Sequence, residues 1–127
     1  MSLLINTATE GARNFEVVLS DFGSISRESA LLAVGQRCAA GTVLGRITAA
    51  VGVPQYALHD PDASNGTEVA SAVLLNNADA TTTAQGIVVL ARLAEVKTDL
   101  LLFKAGSSAG AKATAIAALA THNVIAR

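Results

Sequence analysis

Aromatic residues are nearly missing from this 127-residue chain: three Phe, one Tyr and no Trp, 3% of the whole. So few rings give no stacking platform for single-stranded nucleic acid. The nine basic residues are scattered rather than clustered, and the net charge is −1, so there is no electrostatic footprint for a phosphate backbone. Cys38 is the only cysteine. An intrachain disulfide is thereby excluded, a multi-thiolate zinc site is not available, and a reducing compartment fits. Long apolar runs are lacking too. A membrane-spanning helix needs about 20 consecutive apolar residues, whereas charge-free stretches such as residues 80–91 and 113–126 are shorter and carry Thr, Gln, His or Asn. Residues 1–6 have no basic flank and no cleavage pattern, which excludes a signal peptide as the expectation.

What is present is small and aliphatic. Hydrophobic residues make up 51% of the chain, and 26 residues are Ala. Charge is 15%, too low and too mixed for a disordered chain. The expectation is one domain with a fine-grained aliphatic core. Mean hydropathy is +0.46, and a surplus of apolar surface on a small chain points to a protein–protein interface, most simply between copies of itself.

Along the chain, residues 1–14 have no periodicity and read as a flexible N-terminal arm, leaving residues 15–127 as the folded domain. Within it, 15–19 (Phe-Glu-Val-Val-Leu) reads as a strand, and 20–23 as a turn. Residues 25–34 are ambiguous between strand and helix. Residues 42–48 are a β-branched strand, interrupted by Gly45, which marks a bulge or a close backbone approach. Residues 55–59 and 68–75 read as further strands on either side of a loop, 60–66, dense in turn formers. Residues 76–85 read as a polar loop. Residues 86–96 are apolar on both faces and predict one long central strand, followed by a break at 97–99 and an extended segment at 100–103. From 105 to 120 Ala dominates; Ala113, Ile116, Ala117 and Ala120 predict one helical face. Ser107 or Ser108 is the candidate N-cap, Asn123 the left-handed residue after the helix, and Val124-Ile125 a closing strand. The fold class is therefore mainly β with one C-terminal helix, an α+β domain of short strands.

Candidate chemistry is sparse. Residues 106–114 resemble a phosphate-binding loop around Lys112, but Ala111 and Ala113 stand where the pattern needs Gly and Ser or Thr. His59, Asp60 and Asp62 are metal-ligand types within four residues, yet no second cluster completes a shell. His122 suits a helix C-terminus. Cys38 has no His partner and reads as a buried thiol. No catalytic residue, metal or cofactor is assigned; the function expected is binding and assembly.

Three segments then carry a family resemblance. Ala40-Gly41-Thr42-Val43-Leu44-Gly45-Arg46-Ile47-Thr48 is followed by Tyr56-Ala57-Leu58-His59-Asp60-Pro61 and by Asn65-Gly66-Thr67-Glu68-Val69-Ala70-Ser71-Ala72-Val73-Leu74. In order and spacing these resemble the head decoration proteins of tailed bacteriophages, phage lambda type. The Ala118-Leu119-Ala120 helix and the Val124-Ile125 tail are similar as well. The resemblance implies a β-clip-like small domain, with Gly41, Gly45, Asn65 and Gly66 as its structural turn and strand motif. It implies a homotrimer, made in the host cytoplasm, seated on the outer surface of an expanded phage head. There it would cement neighbouring major capsid subunits against the pressure of packaged DNA, with no direct nucleic-acid or membrane partner. It further implies capsid contact by the N-terminal arm, which by position in the chain falls to Ser2, Leu3, Leu4, Ile5, Asn6 and Thr7. Two other classes remain open at this point. One is a trimeric β-fold hydrolase or sugar-binding module using Asp60, Asp62 and Asn65 at a subunit interface. The other is a phage tail or baseplate structural protein.

Overall fold

A computed structural model describes residues 14–127. Ten short strands and one helix follow in the order β1 (Val18–Asp21), β2 (Arg27–Leu32), β3 (Gln36–Cys38), β4 (Val43–Arg46), β5 (Gln55–Leu58), β6 (Ala70–Leu74), β7 (Ala78–Ala80), β8 (Gln85–Leu90), β9 (Ala94–Val96), α1 (Ala109–Thr121) and β10 (Val124–Ala126). Two 3-10 turns, Gly23–Ile25 and Thr98–Leu100, sit at the connections. The fold is mainly β with a single C-terminal helix, as the sequence predicts, and the short-strand domain takes the form of a closed five-stranded barrel.

The barrel runs in the order β2-β5-β4-β6-β8 and closes because β8 pairs back onto β2. Every pairing is antiparallel except β2 with β5. Closure removes the free edges that an open sheet of short strands would expose. Beside it stand a three-stranded sheet, β1-β9-β10, and a two-stranded ribbon, β3-β7.

Two cores share one wall. Ala30, Leu32, Leu44, Tyr56, Ala72, Leu74, Ile87 and Val89, drawn from all five barrel strands, pack together in the barrel interior. The interior of a five-stranded barrel is narrow, which is why Ala recurs among the Leu and Val there. On the outer face of β4, β6 and β8, Val43, Val73, Leu75 and Leu90 pack against Val96 of β9, Val124 of β10 and Ala115 and Leu119 of α1. Strands buried on both faces read as continuous apolar runs, and that is how these segments look in the sequence.

Several sequence expectations are corrected. The 86–96 run is two strands, not one. It breaks at Leu93, which adopts φ 51°; β8 stays in the barrel, while β9 leaves to pair with β1 and β10. The first strand starts at Val18 rather than at Phe15, which turns at φ 66°, and it runs through Ser20 and Asp21, which were expected in a turn. The ambiguous 25–34 segment is β2, entered from the 3-10 turn. The loop expected over 76–85 contains β7, whose Ala80 is buried in the barrel core, and its last residue begins β8. Leu100 closes a 3-10 turn, and Leu102 bridges Thr42. The helix is present, but its buried face is Ala115 and Leu119, flanked by Ile116 and Ala118; Ala113, Ala117 and Ala120 face solvent. In an Ala-rich helix the small residues give no directional signal, and the one Leu fixes which side packs. Ser108 is the N-cap, its Oγ accepting the Ala111 N–H at 3.1 Å; Asn123 has φ 60°, and Val124 opens a closing strand parallel to β9.

The two-core wall makes a direct prediction. Leu74 is fully buried in the barrel, and Leu74→Ala should destabilise by about 2–5 kcal/mol, since a narrow closed barrel collapses poorly around a void. The check is a denaturant titration; a loss below that of a surface Leu→Ala would refute the shared-wall account.

Candidate functional site

The motif residues organise one backbone crossing. Gly45 lies on β4 at a register shift between Leu44 and Gly45 in the pairing with β6. A Cβ there would stand 2.5 Å from the Thr67 Cα, so the absent side chain is what lets the 60–68 loop cross the strand. Gly66 has φ +105°, and a Cβ there would meet the Arg46 carbonyl oxygen at 2.3 Å; only Gly takes this conformation in this space without strain. Asn65 turns the chain by accepting the Thr67 N–H (3.2 Å) and Oγ1–H (2.6 Å) on its Oδ1. Gly45, Asn65 and Gly66 are thus brought together. Gly41 lies before the opposite end of β4, with φ +95° and an added Cβ 2.3 Å from the Leu100 carbonyl oxygen, where it joins the barrel to the segment leading into α1. Ser2, Leu3, Leu4, Ile5, Asn6 and Thr7 lie outside the described residues.

The residues with chemical potential are committed elsewhere. Asp60 Oδ1 pairs with Lys104 Nζ at 3.0 Å and accepts the Asp62 N–H. The hydrogen bond from Lys104, with that from the Asp62 backbone, holds the Asp60 carboxyl below the usual range, so it is a poor proton donor at neutral pH. His59 is buried, its Nε2 3.1 Å from the Glu68 carbonyl oxygen, and fastens the loop to the barrel. A cleft of about 280 Å³ lies between Pro61, Asp62 and the 104–108 turn. Lys112 is turned to the Phe103 ring, 5.7 Å from its centroid, whereas Lys104 lines the cleft beside the 106–108 turn. Burial pushes the Cys38 thiol up, away from the thiolate a nucleophile requires. Among the described residues, no three His, Cys, Asp or Glu side chains gather as metal ligands, and no helix is long and apolar enough to cross a membrane.

One feature escapes sequence reasoning. Phe22 and Ile25 are 71% and 61% exposed, and Leu93 is 40% exposed. They are held around Ser26, whose Oγ accepts the Phe22 N–H and donates to the Leu93 carbonyl at 2.8 Å. Arg92 donates to the Ile25 carbonyl (2.7 Å) and pairs with Glu28 at 2.8 Å. The result is a fixed apolar ledge whose neighbouring charges neutralise each other. The signal in the sequence is Phe22 itself, a large ring spent on a turn in a chain with so few.

A closed barrel, ion-paired loops and an exposed apolar ledge make up a structural module. The family model for bacteriophage lambda head decoration protein D matches residues 7–124, and the chain belongs to that family. It is a structural protein of phage head decoration. No curated protein matches the chain.

Two predictions follow from this geometry. Gly66→Val forces a β-branched residue to positive φ against the Arg46 carbonyl, and should cost about 1–3 kcal/mol or more by thermal melting; an unchanged melt would refute the crossing. For Asp60 the folded pKa is depressed, so its pairing stabilises above the unfolded carboxylate pKa and is lost as pH falls through the folded value. Lys104→Gln should therefore lower the melting temperature slightly at neutral pH and not at all in strong acid. A deficit that persists in acid would assign the effect to lost packing of the lysine stem instead.

Proposed function

We propose that this chain assembles as a homotrimer on the outer surface of an expanded phage head, where it ties neighbouring major capsid subunits together and holds the shell against packaged-DNA pressure. The observation that carries this is membership of the lambda-type head decoration family over residues 7–124. The exposed ledge of Phe22, Ile25 and Leu93 supports self-association or docking, because its backbone is held in place and has little ordering cost when the apolar side chains are buried. A cement needs no reacting group, and the committed state of Asp60, His59 and Cys38 accords with that.

In this proposal the capsid contact belongs to Ser2, Leu3, Leu4, Ile5, Asn6 and Thr7. The chain enters the body at a defined point: Asn14 Oδ1 accepts the Asn77 N–H at 3.0 Å, and the Phe15 N–H donates to the Leu75 carbonyl at 2.7 Å. Residues before that point would contribute main-chain pairing to a capsid sheet edge and the apolar cluster Leu3-Leu4-Ile5 to a capsid pocket. Three such segments on one trimer act at high effective concentration, so contacts weak one by one hold together. Binding that favours the expanded lattice stabilises that state by linkage.

The test has two arms. Light scattering of the purified chain should return a trimer mass, or a monomer that becomes trimeric on heads. Deleting residues 1–13 should leave the melting transition nearly unchanged and abolish co-sedimentation with undecorated expanded heads. Full occupancy after the deletion would move the contact onto the folded body, and a collapsed fold would show that the segment belongs to the core.

A further inference from the structure

Asn65-Gly66 is the only Asn-Gly pair in the chain, and the barrel crossing demands both residues. Gly66 must lack a Cβ because of its φ of +105° and the Arg46 carbonyl beside it. Asn65 must supply the oxygen that caps Thr67. The same pair is chemically the least durable in a polypeptide. With no Cβ to obstruct it, the Gly nitrogen attacks the Asn side-chain carbonyl carbon. A new N–Cγ bond forms, the side-chain amide leaves as ammonia with the proton from the Gly nitrogen, and a five-membered imide results. Water then opens one of the two imide C–N bonds, giving aspartate or isoaspartate. No other reactant is needed.

Every group of that ring is held in the native loop. The Asn65 carbonyl accepts the Thr48 N–H at 3.0 Å and Thr48 Oγ1–H at 3.2 Å, which fixes the peptide plane. The Asn65 side chain is tied by its Oδ1 to both donors of buried Thr67. The Gly66 N–H, the attacking group, donates to Glu68 Oε2 at 2.8 Å. A carboxylate at that distance stabilises the N–H and opposes the amide anion through which attack proceeds. The side chain is anchored, and the nucleophile is kept protonated.

We propose that Asn65 is a latent deamidation site, closed in the native loop by Thr67 and Glu68 and exposed to reaction only when that loop opens. Isoaspartate would lengthen the backbone by one carbon where Gly66 has no room to move. A new carboxylate would also arise beside Glu68. Conversion therefore releases the 60–68 loop from β4 and from its anchor on His59. For a long-lived structural protein, this loop sets a chemical lifetime independent of its melting temperature.

The experiment incubates the full-length chain at mildly alkaline pH, folded in buffer and unfolded in guanidinium chloride, and follows Asn65 by peptide mapping with isoaspartate detection. Asn76 and Asn77 serve as internal references. Folded chain should convert at Asn65 at least about tenfold more slowly than unfolded chain, the factor that corresponds to about 1.4 kcal/mol of loop-opening free energy. Glu68→Gln keeps an acceptor but removes the charge from an exposed position, and should raise the folded rate severalfold while leaving the unfolded rate nearly unchanged. Thr67→Val should raise it further, with circular dichroism confirming the fold. Equal folded and unfolded rates for the natural chain would overturn the proposal. So would a Glu68→Gln chain whose folded rate matches the natural one.

Discussion

Everything in this molecule hangs on a wall three strands wide. β4, β6 and β8 are buried on both faces, and their side chains divide between two cores: Leu44, Leu74 and Val89 into the barrel, Val43, Val73 and Leu90 toward the helix. Neither core is large. A closed barrel of such short strands cannot enclose many side chains, and one helix over a three-stranded sheet covers only one face. By sharing backbone, each core supplies the surface the other lacks, so each wall residue is buried by elements distant in sequence. Losing one side of the wall would expose the other, which favours a single cooperative unit.

This sharing also explains what was legible in the sequence. Of the wall strands, 42–48 is legible from its β-branched residues and 68–75 from its apolar content, while 55–59 of β5 is legible as a short strand between turns. Gly45 was readable for another reason: a Gly within β-branched neighbours has few uses except to admit another backbone, and Thr67 crosses there. An unbroken apolar run misled over 86–96. Leu90 and Leu93 look alike in a hydropathy pattern, but Leu90 is fully buried and Leu93 takes a left-handed turn that hands the chain from barrel to sheet. The decision is made by Ser26, whose backbone carbonyl accepts the Ala91 N–H and whose hydroxyl binds the Leu93 carbonyl, contacts more than sixty positions away in sequence. The helix was readable from its Ala content and a cap at Ser107 or Ser108, but its orientation was not, since Ala113 and Ala115 differ only in what lies beside them.

For the site, the sequence brings Gly45, Asn65 and Gly66 into view, and the structure places them at one crossing. Of the His59-Asp60-Asp62 cluster, Asp60 is paired with Lys104 and His59 faces the Glu68 carbonyl. Beyond the lone signal of Phe22, the ledge is illegible because Leu93 stands about seventy positions from Phe22 and Ile25 in the sequence. The Ser26 hydroxyl, bonded to Phe22 and Leu93, and the Arg92 guanidinium, bonded to the Ile25 carbonyl and the Glu28 carboxylate, bring them together.

Under the proposed role as a capsid cement, contact area and endurance act on the fold in opposite ways. Contact favours apolar groups left in water, and endurance favours a body that does not open to expose more of them. The structure separates the two by placement. The ledge is carried on backbone that is hydrogen-bonded from both sides, so Phe22 and Ile25 stay exposed without loosening what lies beneath. The loop over β4 is closed by contacts that leave no side-chain volume at Gly45 or Gly66. Tight closure by glycine has its own consequence, because the residues that permit the crossing carry no side chain to compensate for any displacement. Resistance at that point rests on backbone geometry, with Asn65, Thr67 and Glu68 as its hydrogen-bonded frame. A fold assembled this way tolerates variation over most of its surface, and it is least tolerant where the 60–68 loop passes within a backbone's width of β4.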